Sequence, residues 1–217
     1  MGWFEHHREH VAEKQAEERR QVEQETFQSW EQEERALKTL IETATTFTGL
    51  PDAPIDLRRG ESRFFTLASA DLVEPRRGPG HRVGGYSGPS FRIARGVYWH
   101  MGRSASTYIP GEERPTVIDS GTAVVTNLRV VFTGTKQARE LLFAKLIAYE
   151  HDAEAETTSF QMSNRQRVTG IGYGDVTAWC FAVDLAHAHF TETVPAFVAE
   201  LNRQLVEHEA ARPQVSR

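Results

Sequence analysis

Between Glu5 and Thr46 the chain has neither proline nor glycine, and soon after comes Gly49-Leu50-Pro51-Asp52-Ala53-Pro54. That contrast divides the sequence into two regimes. The first is dominated by Glu, Gln, Arg and Ala, which lose little freedom in a helix, so a long helix is expected. The second begins where proline cannot continue a helix and glycine suits its C-terminal cap. The expected organisation is a charged N-terminal helix over residues 1–50, a linker over 51–57 and a folded domain over 58–212. Apolar residues are sparse in the early helix (Val11, Val22). They then gather as Phe27, Trp30, Leu37, Leu40, Ile41 and Phe47, at spacings of three, four and seven. Only the second half has a face worth burying. The first half reads as a solvated helix, with self-association as the alternative, although Gln, Glu and Ala occupy too many core positions for a heptad seam.

Beyond the linker the period shortens to two. Gly121 to Thr126 and Arg129 to Phe132 are rich in Val and Thr and are separated only by Asn127 and Leu128. That is hairpin spacing, and Asn tolerates positive φ better than other non-glycine residues. Gly134-Thr135 then breaks the run before Ala138 to Phe143, giving a meander. Further strands are expected at Ser62 to Ala70, Arg92 to Met101, Lys145 to His151, Thr157 to Met162, Arg167 to Ile171 and Thr177 to Ala186, with a long loop from Pro75 to Ser90. Short strands at such even intervals point to a barrel or sandwich. The period changes once more from Val194 to His208. There Val194, Phe197, Val198, Leu201, Leu205 and Val206 follow a helical rhythm, with Pro195 in the first turn. The fold class is mainly β (α+β), closed by one amphipathic helix.

The wording around the hairpin carries a resemblance. Gly121-Thr122, then Thr126-Asn127-Leu128-Arg129, then Val130-Val131-Phe132 resemble the bacterial PH-like and GRAM-like group, and Arg139-Glu140-Leu141 and Lys145-Leu146-Ile147 fall where that group places its next strand pair. The likeness is in wording over residues 117–150 and in element order over 151–210. It implies a pleckstrin-homology-like split β-barrel of two nearly orthogonal sheets, with the C-terminal helix plugging one open end. It also implies a non-catalytic binding module whose loops at one barrel end take phosphoinositide headgroups or peptides.

Charge gives that expectation residues. The net charge of -5 hides two opposed segments. Glu5 to Arg35 has ten Glu against five Lys or Arg, and Arg58 to Arg103 has nine Arg against three acidic residues. Arg58, Arg59, Arg76, Arg77, His81 and Arg82 lie in expected loops and are the candidate ligand-binding residues, since guanidinium groups offer fixed donors to phosphate. The competing expectation is that these arginines pair with the acidic helix. Arg129, by contrast, is expected as a structural strand residue, its guanidinium held by a carbonyl or carboxylate.

Other candidate chemistry lacks a frame. Gly78-Pro79-Gly80-His81-Arg82-Val83-Gly84-Gly85 has no Gly-Lys-Ser/Thr ending, so it reads as a connection rather than a phosphate loop. His6 and His10, and His187 and His189, have metal-ligand spacing without a supporting carboxylate or cysteine. His100, His151-Asp152 and Ser163 have no nucleophile elbow around them. Trp99, Trp179 and Phe181 read as barrel core, and no interleaved aromatic and basic pattern suggests nucleic acid. No catalytic or metal residue and no cofactor is therefore assigned, and a small hydrolase is the alternative of a different class. The partners expected are an anionic membrane surface or a protein, with self-association through the helix as the alternative. The single Cys180 excludes an intramolecular disulfide and fits a reducing compartment, and no stretch is long and apolar enough to span a bilayer. The start lacks an apolar signal region, and Glu5-His6 spoils a myristoylation motif. The expected location is cytoplasmic, with peripheral membrane association.

Overall fold

In the computed structural model, which describes residues 2–77, 81–83, 107–109, 113–174 and 176–213, the proline-free segment is one helix, α1 (Gly2–Thr46). Its second half turns Phe27, Trp30, Leu37, Leu40, Ile41 and Ala44 inward, with Trp30 and Ala44 buried. Residues 17–22 are exposed, as expected for a solvated stretch. Past its end, Gly49 adopts φ +95, and a Cβ there would lie 2.4 Å from Ser62 Oγ, so both conformation and space require glycine.

The chain forms two compact units, Met1–Thr66 with Val124–Val130 and Thr177–Arg217, and Leu67–Ala123 with Val131–Val176. In the first unit, α1 packs against α3 (Val194–Ala210), the expected amphipathic helix. Trp30 Nε1 donates to the His208 carbonyl at 3.0 Å, and His208 Nε2 donates back to the Trp30 carbonyl at 2.9 Å. Their rings stack 5.1 Å apart, and the Arg212 guanidinium lies 5.4 Å over Phe27 and 5.5 Å over Trp30.

Between these helices in sequence is α2 (Val176–Phe190), which corrects the expected strand from Thr177 to Ala186. Trp179, Ala182, Val183, Leu185, Ala186 and Ala188 are all buried, a helical pattern that wraps most of the way round. Trp179 is core, as expected, but on a helix, with its ring edge-on to Phe65 at 6.5 Å. Phe181 meets Phe197 of α3 at 5.9 Å.

The strands are β1 (Arg63–Arg77), β2 (His81–Val83), β3 (Thr107–Ile109), β4 (Glu113–Thr126), β5 (Arg129–Gly134), β6 (Ala138–Leu142), β7 (Leu146–Asp152), β8 (Thr157–Met162) and β9 (Thr169–Gly172). Seven of them form an antiparallel sheet in the order β6-β5-β4-β1-β9-β8-β7, while β2 and β3 pair separately. The expected Arg92 to Met101 strand lies outside the described residues. The β4–β5 hairpin falls where the Val/Thr runs place it, but Asn127 works differently from the expectation. It has no positive φ; instead its Oδ1 accepts from Ser62 N at 2.9 Å and its Nδ2 donates to the Gly60 carbonyl at 3.1 Å. The side chain thus fastens the hairpin to the segment that leads into β1.

In the second unit the sheet is open, because its edges β6 and β7 are not paired. Those two edges are nevertheless joined by one 3-10 turn, Phe143–Lys145. Six strand spacings on a flat sheet come to about 29 Å. Three intervening residues reach only about 14 Å between flanking Cα atoms. The sheet therefore curls until its edges approach at that corner. Ala70, Leu72, Ala123, Phe132, Leu141, Phe143, Phe160, Met162 and Ile171 are among the buried apolar residues of this curl.

Candidate anion-binding site

Along β1 burial alternates through Ala70, Leu72 and Glu74, so a carboxylate occupies a position the strand pattern assigns to the interior. An isolated buried charge is costly, and Glu74 is not isolated. Arg139 of β6 donates to Glu74 Oε1 from Nε at 2.9 Å, and its Nη2 forms an ion pair with the same oxygen, also at 2.9 Å. Arg139 Nη1 is also occupied, by Gln137 Oε1 at 2.8 Å and the Ala138 carbonyl at 3.0 Å. In the strand order β6 stands three places from β1, about 14 Å on a flat sheet. The contact thus reaches across the hollow of the curl. Arg76 Nη2 approaches Glu74 Oε2 at 3.8 Å, too long for a hydrogen bond.

The β1–β9 register brings two more arginines to this end. The strands pair Asp71 with Gly172, Leu72 with Ile171 and Val73 with Gly170, and beyond them Glu74 follows on one side and Thr169 on the other. Just before Thr169 is the turn after β8, with Arg165 N donating to the Met162 carbonyl at 3.2 Å. Glu74, Arg165, Gln166, Arg167 and Thr169 line a solvent-open hollow of about 380 Å³. Neither the Arg165 nor the Arg167 guanidinium has a carboxylate partner among the described residues. Arg139 and Arg76 thus contact Glu74, while Arg165 and Arg167 border the same hollow without a carboxylate partner among the described residues. Guanidinium donors in that state suit phosphate or carboxylate oxygens.

Of the residues marked from sequence, Arg76 stands at this site. Arg77 follows it and pairs with Glu113 at 3.2 Å, so both close β1 rather than lie in a loop. His81 and Arg82 belong to β2, opposite Ile109 and Tyr108, again in a strand. Arg58 and Arg59 are exposed in a turn of the first unit, where the Arg58 amide donates to Glu61 Oε2 at 2.7 Å. Sequence reasoning did not mark Arg139, Arg165 or Arg167. Their signal was present but weak, an Arg-Gln-Arg inside a short turn and one arginine in an apolar strand.

Arg129 shows the opposite arrangement and meets its structural expectation. Its Nε reaches Glu61 Oε1 at 2.7 Å, and its Nη2 reaches Glu61 Oε2 and the Asp56 carbonyl, both at 2.9 Å. Thr126 Oγ1 adds a donor to Glu61 Oε1 at 2.7 Å. Burial pushes the Glu61 carboxyl up, but the donors from Arg129, the Arg58 amide and Thr126 outweigh it and hold the group below the usual range. Asp119 behaves alike. Burial opposes ionisation there, yet the Lys136, Gln137 and Ser120 amides and the Thr135 hydroxyl keep its carboxyl low.

The remaining marked residues serve local structure where they are described. His151 Nδ1 contacts Thr158 Oγ1 at 2.8 Å, Asp152 Oδ1 accepts from the Glu154 and Ala155 amides, and Ser163 Oγ donates to the Lys145 carbonyl at 3.0 Å. His187 and His189 occupy the last turn of α2 rather than a strand end, so they do not share a face. Burial lowers the His187 pKa against the opposing charge of Asp184, and the His189 ring lies 5.0 Å from Phe64. The side chains of His6, His10, His81 and Arg82, and all of Trp99 and His100, lie outside the described residues, as does the glycine-rich loop apart from residues 81–83. Among the described residues no three His, Cys, Asp or Glu gather to hold a metal, and no helix is long and apolar enough to cross a membrane. Comparison with protein-family models, with curated proteins and with solved structures finds no match to this chain.

Proposed function

We propose that the second unit is a non-catalytic binding module of PH-like or GRAM-like type that holds an anionic headgroup in the Glu74 hollow, at a membrane surface. The observation carrying this reading is an open hollow lined by the buried Glu74 carboxylate, which Arg139 and Arg76 contact, and by Arg165 and Arg167, which have no carboxylate partner among the described residues. The strand order supports the PH-like part. Two three-strand meanders, β4-β5-β6 and β7-β8-β9, flank the long β1, which pairs with β4 on one side and β9 on the other, and helices follow. The strand order and curl of this one open sheet support the reading, while the resemblance implies two nearly orthogonal sheets.

The test is co-sedimentation of the full chain with vesicles of neutral lipid and of neutral lipid doped with acidic lipid. Each basic residue near an anionic surface contributes about 1 kcal/mol, so Arg165→Gln with Arg167→Gln lowers partitioning roughly thirtyfold. Equal pelleting of the native protein and this double variant contradicts the proposal. A second reading has its own observation. Residues 17–22 of α1 are exposed, with Val22 at 61%, and this stretch suits self-association through the helix. Light scattering that returns one protomer at all concentrations contradicts it.

A further inference from the structure

Resting on that reading, we infer that Glu74 is the residue by which the hollow selects its ligand. The selected class is a phosphate group that carries a hydrogen-bond donor, either its own acidic proton or a hydroxyl beside it, in preference to sulfate. A purely cationic hollow would take phosphate and sulfate alike, because the two have the same tetrahedral shape and similar charge. This hollow is not purely cationic. Its lining includes a carboxylate whose side chain is only 11% exposed, placed between arginines.

The two oxygens of that carboxylate are unequally committed. Oε1 accepts a hydrogen bond from Arg139 Nε at 2.9 Å and has the Nη2 of the same guanidinium as an ion-pair partner at 2.9 Å. Oε2 has Arg76 at 3.8 Å, outside hydrogen-bond reach, and retains its accepting capacity. A carboxylate can only accept. Sulfate at neutral pH also only accepts, so sulfate beside Glu74 sets acceptor against acceptor and leaves both unsatisfied. Hydrogen phosphate can give its proton to Glu74 while its other oxygens take the guanidinium donors of Arg165 and Arg167. A sugar phosphate can do the same with a neighbouring hydroxyl. A site whose polar group is left unpaired by the wrong ligand discriminates more strongly than one that differs only in fit.

The test is a titration of the isotope-labelled full chain with sodium phosphate and, at matched pH and ionic strength, with sodium sulfate, following the amides of residues 166–169. The native protein binds phosphate about tenfold or more tighter than sulfate, a modest figure because the hollow is open to water. Glu74→Gln retains an acceptor for Arg139 and offers a donor to sulfate, so the two affinities converge to within about twofold. Arg167→Gln weakens both anions and leaves their ratio in place, separating selection from attraction. Equal affinity for the two anions in the native protein overturns the inference, and so does an unchanged ratio in Glu74→Gln. If Glu74→Gln does not fold, the native ratio and the Arg167→Gln ratio decide alone. Vesicle partitioning that depends on Arg165 and Arg167, combined with a ratio of one, removes the inference and keeps the binding role. Absence of binding to vesicles and to both anions removes both.

Discussion

Two arginine–glutamate contacts have a buried carboxylate, at Glu61 and at Glu74, and they differ in how completely the charges are satisfied. At Glu61 one arginine meets one glutamate, and the remaining bonding capacity is taken by the Arg58 amide, Thr126 Oγ1 and the Asp56 carbonyl. At Glu74 two arginines, 139 and 76, contact one glutamate, and Arg165 and Arg167 line the open hollow beside it. A saturated pair has nothing to offer a ligand and holds the hairpin to the segment before β1. The contacts at Glu74 leave Arg165 and Arg167 without a carboxylate partner among the described residues. The contrast teaches that two arginine–glutamate contacts with the same residue types and a buried carboxylate can differ in how far the surrounding groups satisfy them.

Several substitutions break or sharpen that contrast. Arg129→Ala leaves the Glu61 carboxylate buried without its main partner and costs about 3–5 kcal/mol in urea denaturation. Arg167→Ala, at an exposed site without a partner carboxylate, changes stability by less than about 0.5 kcal/mol. Equal losses from the two would erase the distinction. Next in size is the roughly thirtyfold loss of vesicle partitioning on neutralising Arg165 and Arg167, an effect that neutralising Arg129 through its own site does not reproduce in a folded protein. Acid comes third. Glu61 and Asp119 both have folded-state pKa values below their ordinary ones, so the stability they confer is fully present above the ordinary carboxylate range of about 4. It is lost as pH falls through the lowered values. Thermal midpoints should thus fall steeply below about pH 4, and Asp119→Asn should flatten that fall. Smallest is Glu200→Gln. Arg203 and Gln204 hold the Glu200 carboxyl down to about 2, but the pair is on the surface, and its removal leaves the midpoint unchanged within error.

Much of the fold was readable from residue order. The α1 segment lacks breakers, the β4–β5 runs alternate around two residues, and α3 repeats its apolar positions at helical spacing. The failure at α2 has a definite cause. In Val-Thr-Ala-Trp-Cys-Phe-Ala-Val-Asp-Leu-Ala, large side chains at 179, 181, 183 and 185 imitate a strand, while the small alanines at 178, 182 and 186 hide the helical repeat. A helix buried on most sides has little contrast between faces, so its period is faint. The site was half legible. Arg76 and Arg77 were marked by local charge density. Arg139 and Arg167 are separated by acidic residues at 140, 150, 152, 154 and 156, so no window of sequence is basic there. Only the curl of the sheet and the β1–β9 register bring them to Glu74. Asn127 carries the same lesson, because its partners Gly60 and Ser62 are more than sixty residues away and its role could not be read from its turn.

The most direct measurement is a backbone amide shift map of the full chain titrated with a short-chain acidic phospholipid below its micelle concentration. Perturbations should centre on Glu74 to Arg77, Arg139 and Arg165 to Thr169 and saturate together. Perturbations that instead centre on Arg58 and Arg59, or that spread evenly over the surface without saturating, would show that unsatisfied arginines beside Glu74 are not where the protein meets its ligand.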